Sequence, residues 1–404
     1  MSEPLVIIGN GMAAARLVDE LSKRALGRYA IAVIGEEPRL AYNRVLLSSV
    51  LAGDADAREI ELKPPSWWRD RGVTLQYGCA ATAVDFARKE VSLANGATVA
   101  FSRLVFATGS RALRLPVPGA ELAEVHTFRD GRDVDELKRL ADERKKIVVI
   151  GGGLLGLEAA YGLAKAGAAV TLVHVMDRLM ERQLDAPAAA LLKQLIEGKG
   201  VDVMLHANTT RIVGDSAVRG LELADGRTID ADAVVFAAGI RPNVELARAA
   251  GLAVDRGILA DDRMQTNVEG VFALGECAEH RGVCYGLVEP AYEQARVLAS
   301  HLAGEADEYT GSVVSTNLKV SGVNVFSAGD FLGRPGSEAI VWSDASMGMY
   351  KKLVIANDRL VGAVLVGDTT AALWYLELMR SGASVKSWRD GLIFGRALCE
   401  RKAA

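Results

Sequence analysis

The chain has 404 residues and a formal net charge of −4, with 50% hydrophobic and 24% charged residues. This composition is typical of a globular protein of about two or three domains and excludes a mostly disordered chain. The acidic balance argues against a nucleic-acid-binding protein, which usually presents a basic face. The four cysteines include no Cys-x-x-Cys pair, so the sequence predicts no metal site and favours a reducing cytoplasm.

The first residues and the apolar segments predict neither export nor membrane insertion. The N-terminus lacks the basic region and the long apolar region of a signal peptide. No apolar run approaches the ~18 residues that a transmembrane helix requires. We therefore expect a cytoplasmic protein that does not enter the membrane.

One structural unit occurs twice along the chain. Residues 5–8 form an apolar run that predicts a buried strand, and the glycine-rich turn 9–14, a helical pattern and a second strand follow. The same order returns around a second turn at 151–156. Each copy later has a strand that ends in a small-residue turn, at 104–109 and at 233–239. This repetition indicates two copies of one nucleotide-binding architecture.

The glycines of both turns are spaced as in a dinucleotide-binding motif. The first glycine allows a tight bend, the second lets a diphosphate approach the backbone, and the third position must be small. The diphosphate then lies at a helix N-terminus. These positions are filled by Gly9, Gly11 and Ala14 in the first copy and by Gly151, Gly153 and Gly156 in the second. A single motif could be a turn that binds nothing, but two in the same context favour two nucleotide sites.

We predict an α/β protein made of two nested Rossmann-like dinucleotide-binding domains and a C-terminal α+β domain. The first domain is expected to be split, with residues 1–115 and 241–309 flanking a second domain at 116–240. The glycine motifs stop before residue 310, and apolar and polar residues alternate in 310–404. That alternation predicts the small third domain.

An acidic residue after the second strand of such a fold binds a ribose 2′-hydroxyl. In the first copy Glu36 and Glu37 hold this place, although either could be a solvated loop carboxylate. In the second copy His174 stands at the corresponding position, and the expected acid is missing. The two predicted sites therefore differ in how they would hold a ribose.

Several longer segments resemble known flavoproteins. Residues 35–49 are similar to the FAD-contacting stretch of rubredoxin and ferredoxin reductases and of apoptosis-inducing factor, and residues 266–277 resemble a second flavin motif of these reductases. Together with residues 152–160, 183–185 and 362–368, they resemble the N-terminal flavoprotein part of the NAD(P)H-dependent nitrite reductase large subunit. The resemblance implies FAD in the first domain and NADH or NADPH in the second, with a hydride passing from the nicotinamide to the flavin.

The resemblance also implies which residues surround each cofactor. Glu36 would bind the adenosine ribose, Arg44 the FAD diphosphate and Glu276 the ribityl hydroxyls. A helix that starts near Pro290 would direct its N-terminus at the flavin. The residues expected around FAD are Gly9, Gly11, Met12, Ala13, Ala14, Glu36, Glu37, Arg44, Ala81, Thr108, Gly109, Glu276 and Pro290. Those expected around the nicotinamide coenzyme are Gly151, Gly153, Leu154, Leu155, Gly156, His174, Arg178 and Gly239.

One position near the expected flavin departs from the pattern of these reductases. Ser49 stands where rubredoxin and ferredoxin reductases have a lysine, whose glutamate partner matches Glu158. Without that lysine, Glu158 is expected to support the flavin site near N5 through a hydrogen bond to water or to the nicotinamide amide.

A second departure concerns the choice of coenzyme. His174 replaces the acid that is typical of NADH users, and it cannot repel a 2′-phosphate, whereas Arg178 or Arg182 could attract one. We therefore expect NADPH to be accepted at least as readily as NADH. Glu181 or Asp177 could still bind the ribose, which keeps the alternative open.

The predicted function follows from these features. Nothing in the 404 residues supplies the cysteine sets of the iron–sulfur and sirohaem parts of nitrite reductases. We predict an FAD-dependent NAD(P)H:acceptor oxidoreductase that passes electrons to a separate iron–sulfur, rubredoxin-like or sirohaem protein in nitrite or nitrate reduction. Two alternatives stay open: an NAD(P)H oxidase or nitric-oxide-linked reductase acting on a small molecule, and a non-enzymatic module that senses FAD and NAD. The C-terminal domain could form the surface of a homodimer.

Overall fold

The structure, a computed structural model, describes residues 2–312, 315–320 and 323–402. The strands, in chain order, are β1 (Glu3–Ile8), β2 (Tyr29–Gly35), β3 (Thr74–Tyr77), β4 (Ala81–Asp85), β5 (Glu90–Leu93), β6 (Thr98–Ala100), β7 (Arg103–Phe106), β8 (Ser110–Ala112), β9 (Val125–Thr127), β10 (Lys146–Ile150), β11 (Ala169–Val173), β12 (Val201–Met204), β13 (Thr209–Gly214), β14 (Val218–Leu223), β15 (Thr228–Asp230), β16 (Ala233–Phe236), β17 (Ile240–Pro242), β18 (Ile258–Ala260), β19 (Val271–Ala273), β20 (Ala278–His280), β21 (Ser315–Val320), β22 (Val323–Gly329), β23 (Glu338–Asp344), β24 (Met349–Ala356) and β25 (Arg359–Val366). The α-helices are α1 (Met12–Arg24), α2 (Leu47–Leu51), α3 (Pro65–Arg69), α4 (Gly131–Asp142), α5 (Leu154–Lys165), α6 (Ala186–Glu197), α7 (Glu245–Ala249), α8 (Val288–Ala303), α9 (Ala372–Ser381) and α10 (Arg396–Lys402).

The chain folds into two compact units. Unit 1 consists of Met1–Leu47, Ala55–Arg111 and Ile240–Ser312, and unit 2 consists of Ser48–Asp54, Ala112–Gly239 and Val313–Ala404. The first glycine turn therefore belongs to unit 1, and the second belongs to unit 2 together with the C-terminal strands.

Unit 1 is built on a five-stranded parallel sheet with the order β19-β7-β1-β2-β3. The central strand β1 is an apolar run whose alternate side chains enter different cores. Leu5 and Ile7 pack with the helices α1 and α8 on one face. Val6 and Ile8 pack on the other face with β5 of the antiparallel meander β4-β5-β6. A strand buried on both faces explains why the run reads as continuously apolar rather than alternating.

Unit 2 repeats this topology around β10. Its parallel sheet has the order β12-β11-β10-β16-β9, and an antiparallel meander, β13-β14-β15, again precedes the strand that returns beside the central one. The fifth strand differs in chain position, because β19 follows the other strands of its sheet whereas β9 precedes them. The predicted α/β fold class, with its duplicated nucleotide-binding architecture, is thereby confirmed.

The C-terminal part of unit 2 is a five-stranded antiparallel sheet with the order β21-β22-β25-β24-β23, against which α9 packs. This arrangement confirms the predicted α+β region. Within unit 2 the sheet is joined to the start of α6. Asp185 caps that helix, and its Oδ2 accepts a hydrogen bond of 2.7 Å from the Tyr350 hydroxyl and lies 3.3 Å from Lys352 Nζ. Burial, together with the Asp185 carboxylate, raises the pKa of Tyr350, so the phenol keeps its proton and acts as the donor.

Two further observations concern chain-wide properties. Within the described ranges, no helix is long and apolar enough to pass through a bilayer. The four cysteines, all among the described residues, form no disulfide; Cys277 and Cys399 are buried, and Cys79 and Cys284 are half-buried. The buried Cys277 packs in the core around β7 and β19, and burial raises the pKa of its thiol.

Candidate dinucleotide sites

The first glycine turn has the geometry that a diphosphate needs. Gly9 adopts a φ of +116°, and a Cβ there would lie 2.1 Å from the Ala107 carbonyl oxygen, so only glycine fits. Gly11 caps helix α1, and a Cβ added to it would meet no atom within 4 Å. No side chain caps this helix, and its first turn carries no acid. The free N–H groups and the open space in front of them suit an anion.

The second glycine turn has the same construction. Gly151 adopts a φ of +125°, and its Cβ would lie 2.4 Å from the Ala237 carbonyl oxygen. Gly153 caps helix α5 without a side-chain hydrogen bond and faces open space. A Cβ on Gly156 would stand 1.8 Å from the Gly151 carbonyl oxygen, which explains the small third residue. Both turns therefore fit a dinucleotide diphosphate.

The two acids that follow β2 differ in their surroundings. Glu37 accepts a hydrogen bond of 2.7 Å from the Tyr42 hydroxyl and forms an ion pair with Arg44. Glu36 is exposed, and no described residue donates to its carboxylate. Glu37 thus orients the arginine that was expected at the FAD diphosphate, and Glu36 is the carboxylate left available for a ribose.

A hydrogen-bond network connects the strand ends of unit 1. Thr108 Oγ1 donates to the Asn243 carbonyl (2.7 Å), and Asn243 Nδ2 donates to the Thr108 carbonyl (2.9 Å). Ser110 Oγ donates to Glu276 Oε2 (2.7 Å). Gln294 Oε1, almost fully buried, accepts from the Gly275 N–H at 2.7 Å. This network holds the turn that carries Glu276.

Sequence reasoning missed three members of this network, which are Ser110, Asn243 and Gln294. Gln294 carried one usable signal, because it is a polar residue on the buried face of α8 and therefore needs a partner. Asn243 and Ser110 carried none, since their partners lie more than 100 positions away in the chain.

The other residues expected at FAD lie around the first turn or at nearby strand ends. Met12 and Ala13 begin α1, Ala14 is fully buried, and a Cβ on Gly275 would lie 3.1 Å from the Ala13 Cβ. Gly109 follows β7 with a φ of +64°. Pro290 is buried in the first turn of α8, which begins without a side-chain cap, and the half-buried Ala81 starts β4. These positions lie within unit 1, and their contacts with FAD stay a prediction.

In unit 2 the His174 side chain turns toward the glycine turn. Its ring is buried, Nδ1 lies 3.0 Å from the Gly152 backbone N–H, and Nε2 lies 3.1 Å from Glu181 Oε2. Arg178 is hydrogen-bonded to both oxygens of Asp177, at 2.9 and 3.0 Å. Leu154 and Leu155 open helix α5, and Gly239 follows β16 in open space.

Replacing Gly152 with alanine is expected to destabilise unit 2 by about 1–3 kcal/mol, the usual cost of overpacking. The new Cβ would lie 2.6 Å from the His174 ring and 2.8 Å from Leu179. Urea unfolding of the native chain and of the Gly152→Ala variant measures the difference in the free energy of unfolding. The control is Gly153→Ala, because its added methyl group enters open space. Gly200→Ala would be less suitable, because Gly200 has a positive φ. Equal midpoints for the Gly152 variant and the native chain would contradict the prediction.

Glu158 lies on α5, one turn after the helix begins at Leu154. It is 7% exposed, and within the described part of the chain no group forms a hydrogen bond or an ion pair with it. Burial without a compensating charge raises its pKa to about 8. At neutral pH the carboxyl group is therefore mostly protonated and can donate a hydrogen bond. Among the described residues no cluster of His, Cys, Asp or Glu could hold a metal ion.

Two turns that fit a diphosphate, each on its own parallel sheet, are typical of proteins that bind two dinucleotides. The chain belongs to the pyridine nucleotide-disulphide oxidoreductase family, whose profile matches residues 3–296. The rubredoxin NAD⁺ reductase C-terminal domain matches residues 315–383. Members of this family are NAD(P)H-dependent flavin oxidoreductases that use FAD.

Three similar proteins illustrate the relationship. The nitrite reductase [NAD(P)H] of Bacillus subtilis is 45% identical over 94% of this chain and 48% of its own length. The assimilatory nitrate reductase electron transfer subunit of the same species is 42% identical over 90% of this chain and 48% of its own. The ferredoxin reductase of the CYP199A2 system from Rhodopseudomonas palustris superposes with a TM-score of 0.87 at 25% identity, covering 100% of both chains. The chain thus spans about half the length of the curated relatives it matches.

Proposed function

We propose that this chain is an FAD-dependent NAD(P)H:acceptor oxidoreductase that supplies electrons to a separate redox protein in nitrite or nitrate reduction. The observation that carries the proposal is the pair of equivalent glycine turns, Gly9–Gly11 in unit 1 and Gly151–Gly153 in unit 2. Each turn leaves helix N–H groups open to one diphosphate, so two dinucleotides can be held at the same time.

The residues of unit 1 would hold FAD. The α1 N-terminus would bind the diphosphate with Arg44, which Glu37 orients, and Glu36 would accept hydrogen bonds from the adenosine ribose. Glu276, fixed by Ser110, would accept from the ribityl hydroxyls. When bound, FAD supplies hydride acceptance from a reduced nicotinamide and release of electrons one at a time.

The residues of unit 2 would hold the nicotinamide coenzyme. The α5 N-terminus at Gly153 would bind its diphosphate, and Gly239 would leave room at the neighbouring strand end. The protonated Glu158 would donate a hydrogen bond to the carboxamide oxygen of the nicotinamide and so orient the ring. No side chain has to act as a nucleophile, because the chemistry belongs to the cofactor pair.

The names of the relatives support a protein as the electron acceptor. One is called an electron transfer subunit and another a ferredoxin reductase. We propose an iron–sulfur, rubredoxin-like or sirohaem protein as the partner. We also propose that the chain acts in the cytoplasm, where its four cysteine thiols would stay reduced. We also assign a homodimer surface to the C-terminal region, where Val341 on β23 and Leu373 on α9 have exposed side chains. Light scattering of the purified protein tests that assignment, and a monomeric mass would overturn it.

Anaerobic stopped-flow mixing of the FAD-loaded chain with NADH or NADPH tests the proposed function. The flavin absorbance is expected to bleach. In separate aerobic turnover assays, ferricyanide or cytochrome c is expected to be reduced much faster than oxygen is consumed. Absence of bleaching with both coenzymes would overturn the proposal in favour of a non-enzymatic module. Oxygen consumption that matches turnover would instead identify an oxidase.

A further inference from the structure

The two hydrogen bonds of His174 determine where its proton lies. Nδ1 is 3.0 Å from the Gly152 backbone nitrogen, which can only donate, so Nδ1 must be the acceptor. In the neutral ring the proton is then on Nε2, which lies 3.1 Å from Glu181 Oε2. His174 therefore donates to Glu181 and connects this carboxylate to the glycine turn through one imidazole ring.

The loop that carries Glu181 is held firmly against the same turn. Leu179, Met180 and Leu184 are fully buried, and the Met180 N–H donates to the Gly152 carbonyl at 3.0 Å. Both backbone groups of Gly152 are thus bonded to residues 174–180. The packing of this loop therefore fixes the position of Glu181, which does not move as a fully exposed side chain would.

The positive charges of this loop are either paired with a neighbouring acid or exposed to solvent. Arg178 is hydrogen-bonded to both carboxylate oxygens of Asp177, which balances its charge. The Arg182 side chain is 86% exposed, and its Nε lies 3.8 Å from Glu181 Oε1, whereas the Glu181 side chain is 23% exposed. The charge that is fixed beside the glycine turn is therefore negative.

Two exposed apolar side chains complete the surface at this strand end. Val175 and Met176 follow His174 directly and are 54% and 44% exposed. Large apolar side chains at the end of a parallel strand, next to a fixed acid and a diphosphate turn, suit the flat face of an adenine. The ribose would then contact Glu181, the adenine would contact Val175 and Met176, and the diphosphate would lie at the glycine turn.

We propose that Glu181, positioned by His174, is the ribose-binding acid of the coenzyme site and makes the chain select NADH over NADPH. The assignment rests on the proposed function of unit 2 as the coenzyme site. Glu181 accepts hydrogen bonds from the ribose hydroxyls, whereas a 2′-phosphate would bring like charge against a carboxylate that packing holds in place. This proposal reverses the coenzyme preference for NADPH that was predicted from His174 by itself, because the histidine is buried and positions Glu181.

The test is a pair of equilibrium titrations, measured by calorimetry, of the FAD-loaded full chain with NAD⁺ and with NADP⁺. We expect the native chain to bind NAD⁺ with a Kd at least about tenfold lower than that for NADP⁺. Glu181→Gln is expected to weaken NAD⁺ binding several-fold and to bring the two Kd values close together. Glu197→Gln, an exposed acid on α6, is the matched control and should keep the native ratio.

Variants of His174 separate positioning from folding. His174→Gln keeps an acceptor for Gly152 and a donor for Glu181, so it is expected to retain most of the selectivity, whereas His174→Leu loses it. Near-native Tm and FAD content, measured for each variant, identify those that fold. If His174→Leu does not fold, Glu181→Gln still decides the question, because its side chain is partly exposed.

Three results would overturn the inference. These are equal or tighter binding of NADP⁺ by the native chain, unchanged selectivity in Glu181→Gln, and selective loss of NADP⁺ binding in Arg178→Gln. The proposed function fails on a different readout, which is the absence of flavin bleaching by either reduced coenzyme. Selective NAD⁺ binding without bleaching would support the ribose assignment and overturn the proposed function.

Discussion

Replacing Gly153 with valine is expected to lower kcat/KM for NADH by about a hundredfold or more, the cost of displacing a substrate by about 1 Å. The reason is the open space in front of Gly153, where an added Cβ meets no protein atom within 4 Å. That space is where a coenzyme diphosphate would approach the α5 N-terminus, and valine would fill it. The fold should survive, because the backbone φ of −84° suits any residue and only a helix-capping cost of about 1 kcal/mol is expected.

The matched control for this prediction is the same substitution in the other turn. Gly11 is the structural equivalent of Gly153, with open space before α1 and a φ of −112°. Gly11→Val is expected to lower FAD content, whereas Gly153→Val is expected to keep FAD and lose reduction by NADH. Flavin absorbance per protein and stopped-flow bleaching measure the two properties. Loss of FAD in the Gly153 variant, or bleaching at the native rate, would contradict the assignment of the turns.

The second large effect concerns the pH dependence of stability, through Glu158. Burial raises the pKa of this carboxyl group from an ordinary 4.5 to about 8 in the folded chain. Between these two values the folded state holds a proton that the unfolded state has released, so stability falls as the pH rises. The loss amounts to something on the order of 5 kcal/mol across the whole window, and it ends above about pH 8, where both states are ionised.

Glu158→Gln removes this contribution, because the amide is neutral at every pH and has a similar shape. We expect the native chain and the variant to have similar free energies of unfolding near pH 5, and the variant to be the more stable near pH 9. Urea unfolding of the FAD-loaded proteins at several pH values measures the difference. Glu197→Gln, which changes an acid in an exposed ion pair, should follow the native curve. Parallel curves for the native chain and Glu158→Gln would contradict the burial argument.

The same ionisation has a kinetic consequence under the proposed function. If the protonated Glu158 donates to the nicotinamide carboxamide, the rate of flavin reduction by NADH should decrease as the pH rises through about 8. The glutamine variant keeps a donor at this position and should show a flatter profile. An identical pH profile in both proteins would remove Glu158 from the coenzyme site without affecting the stability prediction.

The elements around the glycine turns could be predicted because their causes are local. The strands β1 and β10 were apparent as short apolar runs, since both faces of a parallel sheet are buried. The antiparallel meanders β4-β5-β6 and β13-β14-β15 were not predicted, because their strands have only three to six residues each and half of their side chains face solvent.

In the candidate sites, too, some features could be predicted from local sequence and others depended on the fold. Pattern alone could not distinguish Glu36 from Glu37, which are neighbours in the chain. The structure separates them because Tyr42 and Arg44 fold back onto Glu37 and leave Glu36 exposed. Ser110 and Glu276 meet across 166 positions, a distance over which no sequence spacing is informative.

By itself the sequence determined two diphosphate turns, because a positive φ and a missing Cβ are demands on single residues that glycine meets. Only the tertiary structure decided the roles of the charged side chains. His174 read as a missing acid, yet packing buries its ring against Gly152 and aims its proton at Glu181. Glu158 was predicted to support the flavin site, yet only the fold shows that burial raises its pKa. Charge and hydrogen bonding depend on what surrounds a group, and the fold brings those surroundings from distant parts of the chain.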